Sequence, residues 1–271
     1  MIEVKYTPPT SGVPSLDSKG KSIIAKEYGK DGKNSPQYSR KEIIEILYKH
    51  LPRAYTLKLT DKTLPNSKYL DLAAEYNYPD YRILVSADLV KLDLLSSFSQ
   101  YQRDFFVSHG RVLAIFNTLN SKPVSIVFRS LTDKAFLDYS LCPSVYNLDM
   151  LTADFKFGDW VIVTEGVFDA DSIRPLFPNS VCMLTSNVTQ MQGNILKTVS
   201  NKFIFAFDAD PAGDSGFYKA QQRLTGCQVI KMPIYYADKD LGGTFEAKLR
   251  SDKEYDRRIE YYRDTLSVLC T

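Results

Sequence analysis

Three carboxylates stand where short apolar runs stop. Glu165 follows Trp160-Val161-Ile162-Val163-Thr164, while Asp208 and Asp210 follow Phe203-Ile204-Phe205-Ala206-Phe207. Short runs rich in β-branched and aromatic residues suit strands buried on both faces, as in parallel sheets. Carboxylates at the C-terminal ends of such strands lie where open α/β sheets hold their ligands. In extended backbone, residues i and i+2 point the same way, so Asp208 and Asp210 can face one ligand. Converging carboxylates repel unless a cation neutralises them. Hard oxygen donors without His or Cys nearby favour Mg²⁺ or Mn²⁺ over zinc, and a divalent-metal centre is the expectation here.

Glu165-Gly166 after one strand, Asp169 four positions on, and Asp208-x-Asp210-x-Ala212-Gly213 after a later strand resemble the TOPRIM domain. That domain is shared by bacterial-type (DnaG-like) primases, phage primase-helicases, topoisomerases and some nucleases. The wording Glu165-Gly166-Val167-Phe168-Asp169-Ala170 and Phe207-Asp208-Ala209-Asp210-Pro211-Ala212-Gly213 is closest to the primase branch, and the resemblance covers Gly158 to Leu249. Upstream, Arg111 opens one expected strand and Arg129 closes the next, as arginines do in the subdomain that precedes TOPRIM in these primases. The family's K-Y-L-N-S run is loosely echoed by Lys134-Ala135-Phe136-Leu137-Asp138. Val145-Tyr146-Asn147-Leu148 is similar to its L-Y-G-L segment.

The resemblance implies a catalytic core that makes short RNA primers on single-stranded DNA from ribonucleoside triphosphates. Asp208 and Asp210, with Glu165, would hold Mg²⁺ or Mn²⁺, which aligns the primer's 3′ hydroxyl with the α-phosphate; Glu165 serves either as ligand or as general base. Asp169, one turn into the following helix, is expected in the metal's outer shell. Ala237-Asp238-Lys239-Asp240-Leu241 stands where primases carry D-P-D or K-D-P, here without the proline. Asp240 fits either alignment as a further metal carboxylate, and Asp238 fits only the first. Arg111, Arg129 and Lys134 would line the template groove or hold phosphates. Gly166, Gly213 and Asp238 are expected at the nucleotide: the first lets the backbone turn sharply, the second opens a helix whose amides can support a phosphate. A TOPRIM nuclease cutting phosphodiesters with the same metals is the alternative. A separate replicative helicase or template-recognition protein is an expected partner, in the cytoplasm of a bacterial or phage-infected cell.

Composition is compatible with this and does not single it out. The chain has 271 residues, 44% hydrophobic and 24% charged, as globular proteins do, and its net charge of +2 announces no nucleic acid by itself. Cys142, Cys182, Cys227 and Cys270 show no C-x-x-C spacing, which excludes a zinc ribbon here and suits a reducing compartment. No G-x-S-x-G elbow occurs, and His50 and His109 have no partner at ligand spacing. No apolar stretch approaches the roughly 20 residues of a spanning helix, so no membrane is expected.

The elements that must position these residues give an α/β expectation: a mainly parallel four-stranded TOPRIM sheet flanked by helices, preceded by a smaller mixed α+β subdomain. Residues 1–38 read as a flexible arm broken by Pro and Gly, with a short helix at Ser22–Tyr28. Its Lys19, Lys21, Lys26, Lys30 and Lys33 are a solvated tail or a phosphate-tracking arm. Residues 39–157 form the nucleic-acid-binding subdomain, 158–250 the catalytic domain, and 251–271 a terminal helix. Ser39 with Glu42 predicts a capping box for a helix through Lys49. Further helices are expected at Tyr69–Tyr76 and Ser86–Gln100, and strands at His109–Phe116 and Val124–Arg129. Tyr76, Tyr78 and Tyr81 read as packing aromatics, with base stacking as the other use. Beyond strand Trp160–Thr164 come helix Val167–Leu176, strand Val181–Thr185, helix Thr189–Val199 and strand Phe203–Phe207. Helix Ser215–Leu224, strand Val229–Pro233 and helix Glu254–Leu269 complete the reading. Asp171 is expected on a solvated helix face.

Overall fold

The structure is a computed structural model that describes residues 38–61, 64–65, 67–76, 80–141 and 145–270. The basic arm, Tyr78 and Cys142 lie outside the described residues. The described chain groups into two compact units. One runs up to Ile115 and adds Val127–Tyr139; the other takes Phe116–Ile126 and everything from Ser140.

The first unit opens with helix α1, Arg40–His50. Ser39 accepts from the Glu42 amide and Glu42 Oε2 accepts from the Ser39 amide at 2.8 Å, the expected reciprocal cap. Ile43, Ile44 and Leu47 form its buried stripe. Then come α2 (Ala54–Thr60), α3 (Lys68–Tyr76) and strand β1 (Tyr81–Val85). The single helix expected over Ser86–Gln100 is divided. α4 covers Ser86–Lys91, Asp93 turns to φ 55°, a 3₁₀ turn covers Leu95–Ser97, and α5 runs over Gln100–His109. Ser99 supplies a fresh capping box for α5, the local signal that a new helix starts there. Gly110, at φ 64°, ends α5, so the strand expected from His109 begins at Arg111.

Strands β2 (Arg111–Leu119), β3 (Lys122–Ser130) and β4 (Phe136–Ser140) complete a sheet in the order β1-β2-β3-β4, with β1 and β2 antiparallel. Asn120 and Ser121, both at positive φ, make the tight β2–β3 turn.

The second unit holds the expected parallel sheet. β5 (Trp160–Thr164), helix α6 (Val167–Ile173), β6 (Ser180–Cys182), α7 (Gln190–Val199), β7 (Lys202–Ala206), α8 (Pro211–Arg223) and β8 (Gln228–Lys231) follow in turn. The strand order is β6-β5-β7-β8, every pairing parallel. Alternation along the strands divides the core. Val161, Val163, Phe203 and Phe205 pack with Leu196, Phe217 and Leu224 of the α7–α8 side. Ile162, Ile204 and Ala206 pack with Ile173, Tyr262 and Leu266 on the other face. Burying each Val, Leu, Ile or Phe side chain among these contributes about 1.5–3 kcal/mol. The last two residues belong to α10 (Asp252–Leu269), which follows α9 (Gly242–Arg250), a helix the sequence reading did not contain. Among the described residues no helix is long and apolar enough to cross a membrane.

The strand order fixes where a ligand can sit. From β5 the chain crosses to β6 on one side, then returns to β7 on the other side and continues to β8. The connections leaving β5 and β7 therefore diverge, opening a crevice at their C-terminal ends. Thr164 of β5 is level with Ala206 of β7, so Glu165 and Asp208 emerge at that crevice side by side.

Candidate functional site

Backbone amides hold most of the acidic residues in place. Glu165 Oε1 accepts from the Asp208 amide at 3.1 Å, tying the end of β5 to the end of β7. Thr164 Oγ1 donates to the Gly166 carbonyl at 2.8 Å, and the Cys182 thiol donates to the Glu165 carbonyl at 3.1 Å. Asp210 is the N-cap of α8: its Oδ1 accepts from the Ala212 and Gly213 amides at 3.0 and 2.9 Å. The cap explains why α8 starts at Pro211, earlier than the expected Ser215, since Pro suits the first helical turn. Asp169 spans two segments, accepting from Gly166 N at 3.1 Å and from Gly242 N at 2.8 Å. Asp240 Oδ1 accepts from Gly243 N at 3.1 Å.

One oxygen of each member of the Asp208–Asp210 pair faces an ammonium. Lys239 Nζ lies 2.7 Å from Asp208 Oδ2 and 3.3 Å from Asp210 Oδ2. Its own carbonyl accepts from Ala209 N at 2.7 Å, so the backbone of the Asp238–Asp240 loop is fastened to the Asp208–Asp210 turn. The sequence alone assigns Lys239 no role at the site. A Lys between two aspartates is the signal that could have found it.

The electrostatics register the crowding. Burial raises the Glu165 pKa, and the Asp208 and Asp210 charges add to the rise. Burial pushes Asp169 well up, followed by the charges of Asp240 and Asp208. Asp240 rises for the same reasons, burial first and Asp208 second. Asp210 moves the other way, because the Gly213 amide and Lys239 favour its ionised form. Hydrogen bonding and charge from Asp208 raise the Lys239 pKa. Glu165, Asp169, Asp208, Asp210 and Asp240 are thus brought within electrostatic reach of one another around one cation.

Among the described residues no three His, Cys, Asp or Glu side chains are arranged as a ready metal cage. Other expectations need correction. Asp238, expected at the nucleotide, is inward: Arg258 Nε donates to its Oδ2 at 2.7 Å and Nη2 to its Oδ1 at 2.8 Å. Gly166 has φ −101°, and a Cβ there would lie 2.4 Å from Asp169 Oδ2, so that carboxylate would have to shift. Gly213 gives its amide to Asp210, and a Cβ on it would lie 2.1 Å from the Asp208 carbonyl oxygen. Asp171 is buried, with Arg174 Nε at 3.6 Å and Asn147 Nδ2 at 3.4 Å, and is no solvated charge.

In the first unit, Arg111 Nη1 lies 3.6 Å from Asp61 Oδ2. The Arg129 guanidinium lies 4.3 Å from the Tyr69 ring centre and donates to its hydroxyl. Lys134 is exposed.

Residues 162–242 match a family model described as Toprim-like. No curated protein matches the chain. A DNA primase domain from Pseudomonas aeruginosa is similar over 85% of this chain and 83% of its own, with 16% identity and a TM-score of 0.57. A structure of the Aquifex aeolicus primase, comprising zinc-binding and RNA polymerase domains, matches 88% of this chain with 18% identity and a TM-score of 0.55. The match spans 65% of that protein, less than two thirds of its length. A DnaG primase catalytic domain bound to ssDNA matches 82% of this chain and 78% of its own, with 13% identity and a TM-score of 0.54. At these identities the likeness is one of fold: a Toprim-like α/β domain in the setting of DnaG-type primase catalytic cores.

Proposed function

We propose, from this Toprim-like domain and its acidic crevice, that the chain is a primase catalytic core making short RNA primers on single-stranded DNA. The observation that carries the reading is the convergence of Glu165, Asp208 and Asp210 where β5 and β7 diverge. The donor set fits a hard divalent cation, because an ammonium already stands in for one between Asp208 Oδ2 and Asp210 Oδ2. Bound there by Asp208 and Asp210 with Glu165, Mg²⁺ or Mn²⁺ would neutralise charge at the reacting phosphate and align the attacking hydroxyl.

The chain's own residues supply the rest. Glu165 holds the Asp208 amide, and its raised pKa suits it to accept a proton if it serves as general base. Asp210 is fixed through its cap, which aims the other oxygen at the cation position. Asp169 and Asp240 stand behind the pair, with Asp169 in an outer shell. Arg111, Arg129 and Lys134 hold template or triphosphate phosphates. Single-stranded DNA, also present in one of the similar primase structures, is the template, and ribonucleoside triphosphates are the substrates. A separate helicase or template-recognition protein works with the chain in the cytoplasm of a bacterial or phage-infected cell.

The test incubates the full chain with single-stranded DNA, labelled ribonucleotides and Mg²⁺ or Mn²⁺. Oligoribonucleotide products are expected, whereas shortened DNA would favour the nuclease alternative. Glu165→Gln and Asp208→Asn should each lower product formation by at least about 100-fold, and full activity in either variant rejects this site.

A further inference from the structure

Lys239 occupies the position that the proposed function assigns to a metal ion. Its ammonium bridges the two outward carboxylate oxygens, 2.7 Å from Asp208 and 3.3 Å from Asp210. A divalent cation sits about 2.1 Å from each ligating oxygen. Binding the ion to Asp208 Oδ2 with Lys239 in place would bring charges of +2 and +1 within about 5 Å of each other on one oxygen. The two cations exclude one another. Lys239 can leave: its side chain is 63% exposed, whereas Asp208 and Asp210 are 21% and 32% exposed and anchored through the Glu165 bridge and the helix cap.

We propose that Lys239 is an exchangeable internal counter-cation, which holds the Asp208–Asp210 pair in the metal-free protein and is displaced from it when a divalent ion binds. This rests on the metal-site reading above and adds a competition that the acidic residues alone do not contain. The exchange keeps the carboxylates paired in both states. The bridging ammonium lowers the apparent affinity for metal by the free energy of an exposed ion pair, about fivefold. Because the lysine backbone is fastened to Ala209, the released side chain stays beside the site and re-enters when the ion leaves.

The experiment measures Mn²⁺ binding to the full-length metal-free protein by electron paramagnetic resonance of free Mn²⁺. Wild type, Lys239→Gln, Lys239→Arg and Asp208→Asn are compared. Lys239→Gln should bind Mn²⁺ about fivefold more tightly, with Lys239→Arg close to wild type. In parallel, amine labelling of Lys239, read by mass spectrometry, should rise when Mg²⁺ is added to wild type. In Asp208→Asn it should already be high without Mg²⁺. Mn²⁺ affinity unchanged or weaker in Lys239→Gln, with Asp208→Asn abolishing binding, overturns the exchange and leaves the metal site standing. Absence of Mn²⁺ binding in both wild type and Lys239→Gln overturns both readings. Labelling that ignores Mg²⁺ in a protein that binds it also overturns the exchange.

Discussion

Replacing Arg258 with Met removes the cation that holds the Asp238–Asp240 loop from behind. The guanidinium and the Asp238 carboxylate form a two-pronged pair at 2.7 and 2.8 Å, with side-chain exposures of 9% and 6%. Arg258 Nη1 also donates to the Glu254 carbonyl at 3.0 Å, and the guanidinium lies 4.9 Å from the Tyr235 ring centre. Truncating one partner of a buried pair leaves the other charge desolvated and uncompensated, a loss of about 3–5 kcal/mol. With a urea m-value of about 2.5 kcal/mol/M, the unfolding midpoint should fall by about 1–2 M at unchanged slope. The double variant Arg258→Met/Asp238→Leu removes the stranded charge and should recover at least half of the loss. Urea unfolding at neutral pH, followed by far-UV circular dichroism, measures both. A cost below about 1 kcal/mol for Arg258→Met would place the pair among screened surface bridges and refute its role as a strut.

Gly213→Ala forces a Cβ to within 2.1 Å of the Asp208 carbonyl oxygen, so it should destabilise by about 1–3 kcal/mol and weaken Mn²⁺ binding, read by thermal melting with and without Mn²⁺. Burial and neighbouring carboxylates raise Glu165, Asp169 and Asp240, so the folded metal-free protein holds protons that the unfolded chain releases. Their contribution to stability is complete below the ordinary carboxylate range, about pH 4, and is lost as pH rises through the raised values. Stability measured in urea should therefore decline from acidic toward neutral pH less steeply in Asp240→Asn than in wild type; equal slopes would refute the shift.

The parallel sheet was legible because its strands are short apolar runs with abrupt acidic ends, and β5 and β7 fall within a residue of their expected positions. The strand order was not legible from periodicity, which reports burial and not adjacency. The first unit was harder. Leu89, Leu92, Leu95 and Phe98 carry a helical spacing through a region where Asp93 breaks the backbone at φ 55°, and packing overrode the pattern. α9 was missed because its first residues are Gly242 and Gly243, poor helix starters on their own. Its first amide, Gly242 N, is instead bonded to Asp169, from a distant segment. At the site, acidic residues were found as a set, but their separate duties were not. Asp238 and Asp240 are two positions apart, yet one pairs with Arg258 and the other lies near Asp208. That division depends on α10, far along the chain.

The separation of duties has a physical consequence. A site built only from mutually repelling carboxylates would spread apart whenever its cation left. Here Asp169 is clamped between Gly166 and Gly242, Glu165 is tied to the Asp208 amide, and Asp210 caps α8. These amide bonds need no metal. They fix the positions of the acids in the folded chain and leave the Asp208–Asp210 oxygens to a mobile cation. The repulsion that raises the Glu165, Asp169 and Asp240 pKa values is then held in a rigid frame, where any stronger cation entering the crevice relieves it. On the proposed exchange, rigid anions and a displaceable ammonium would keep the crevice ordered without metal and open to it.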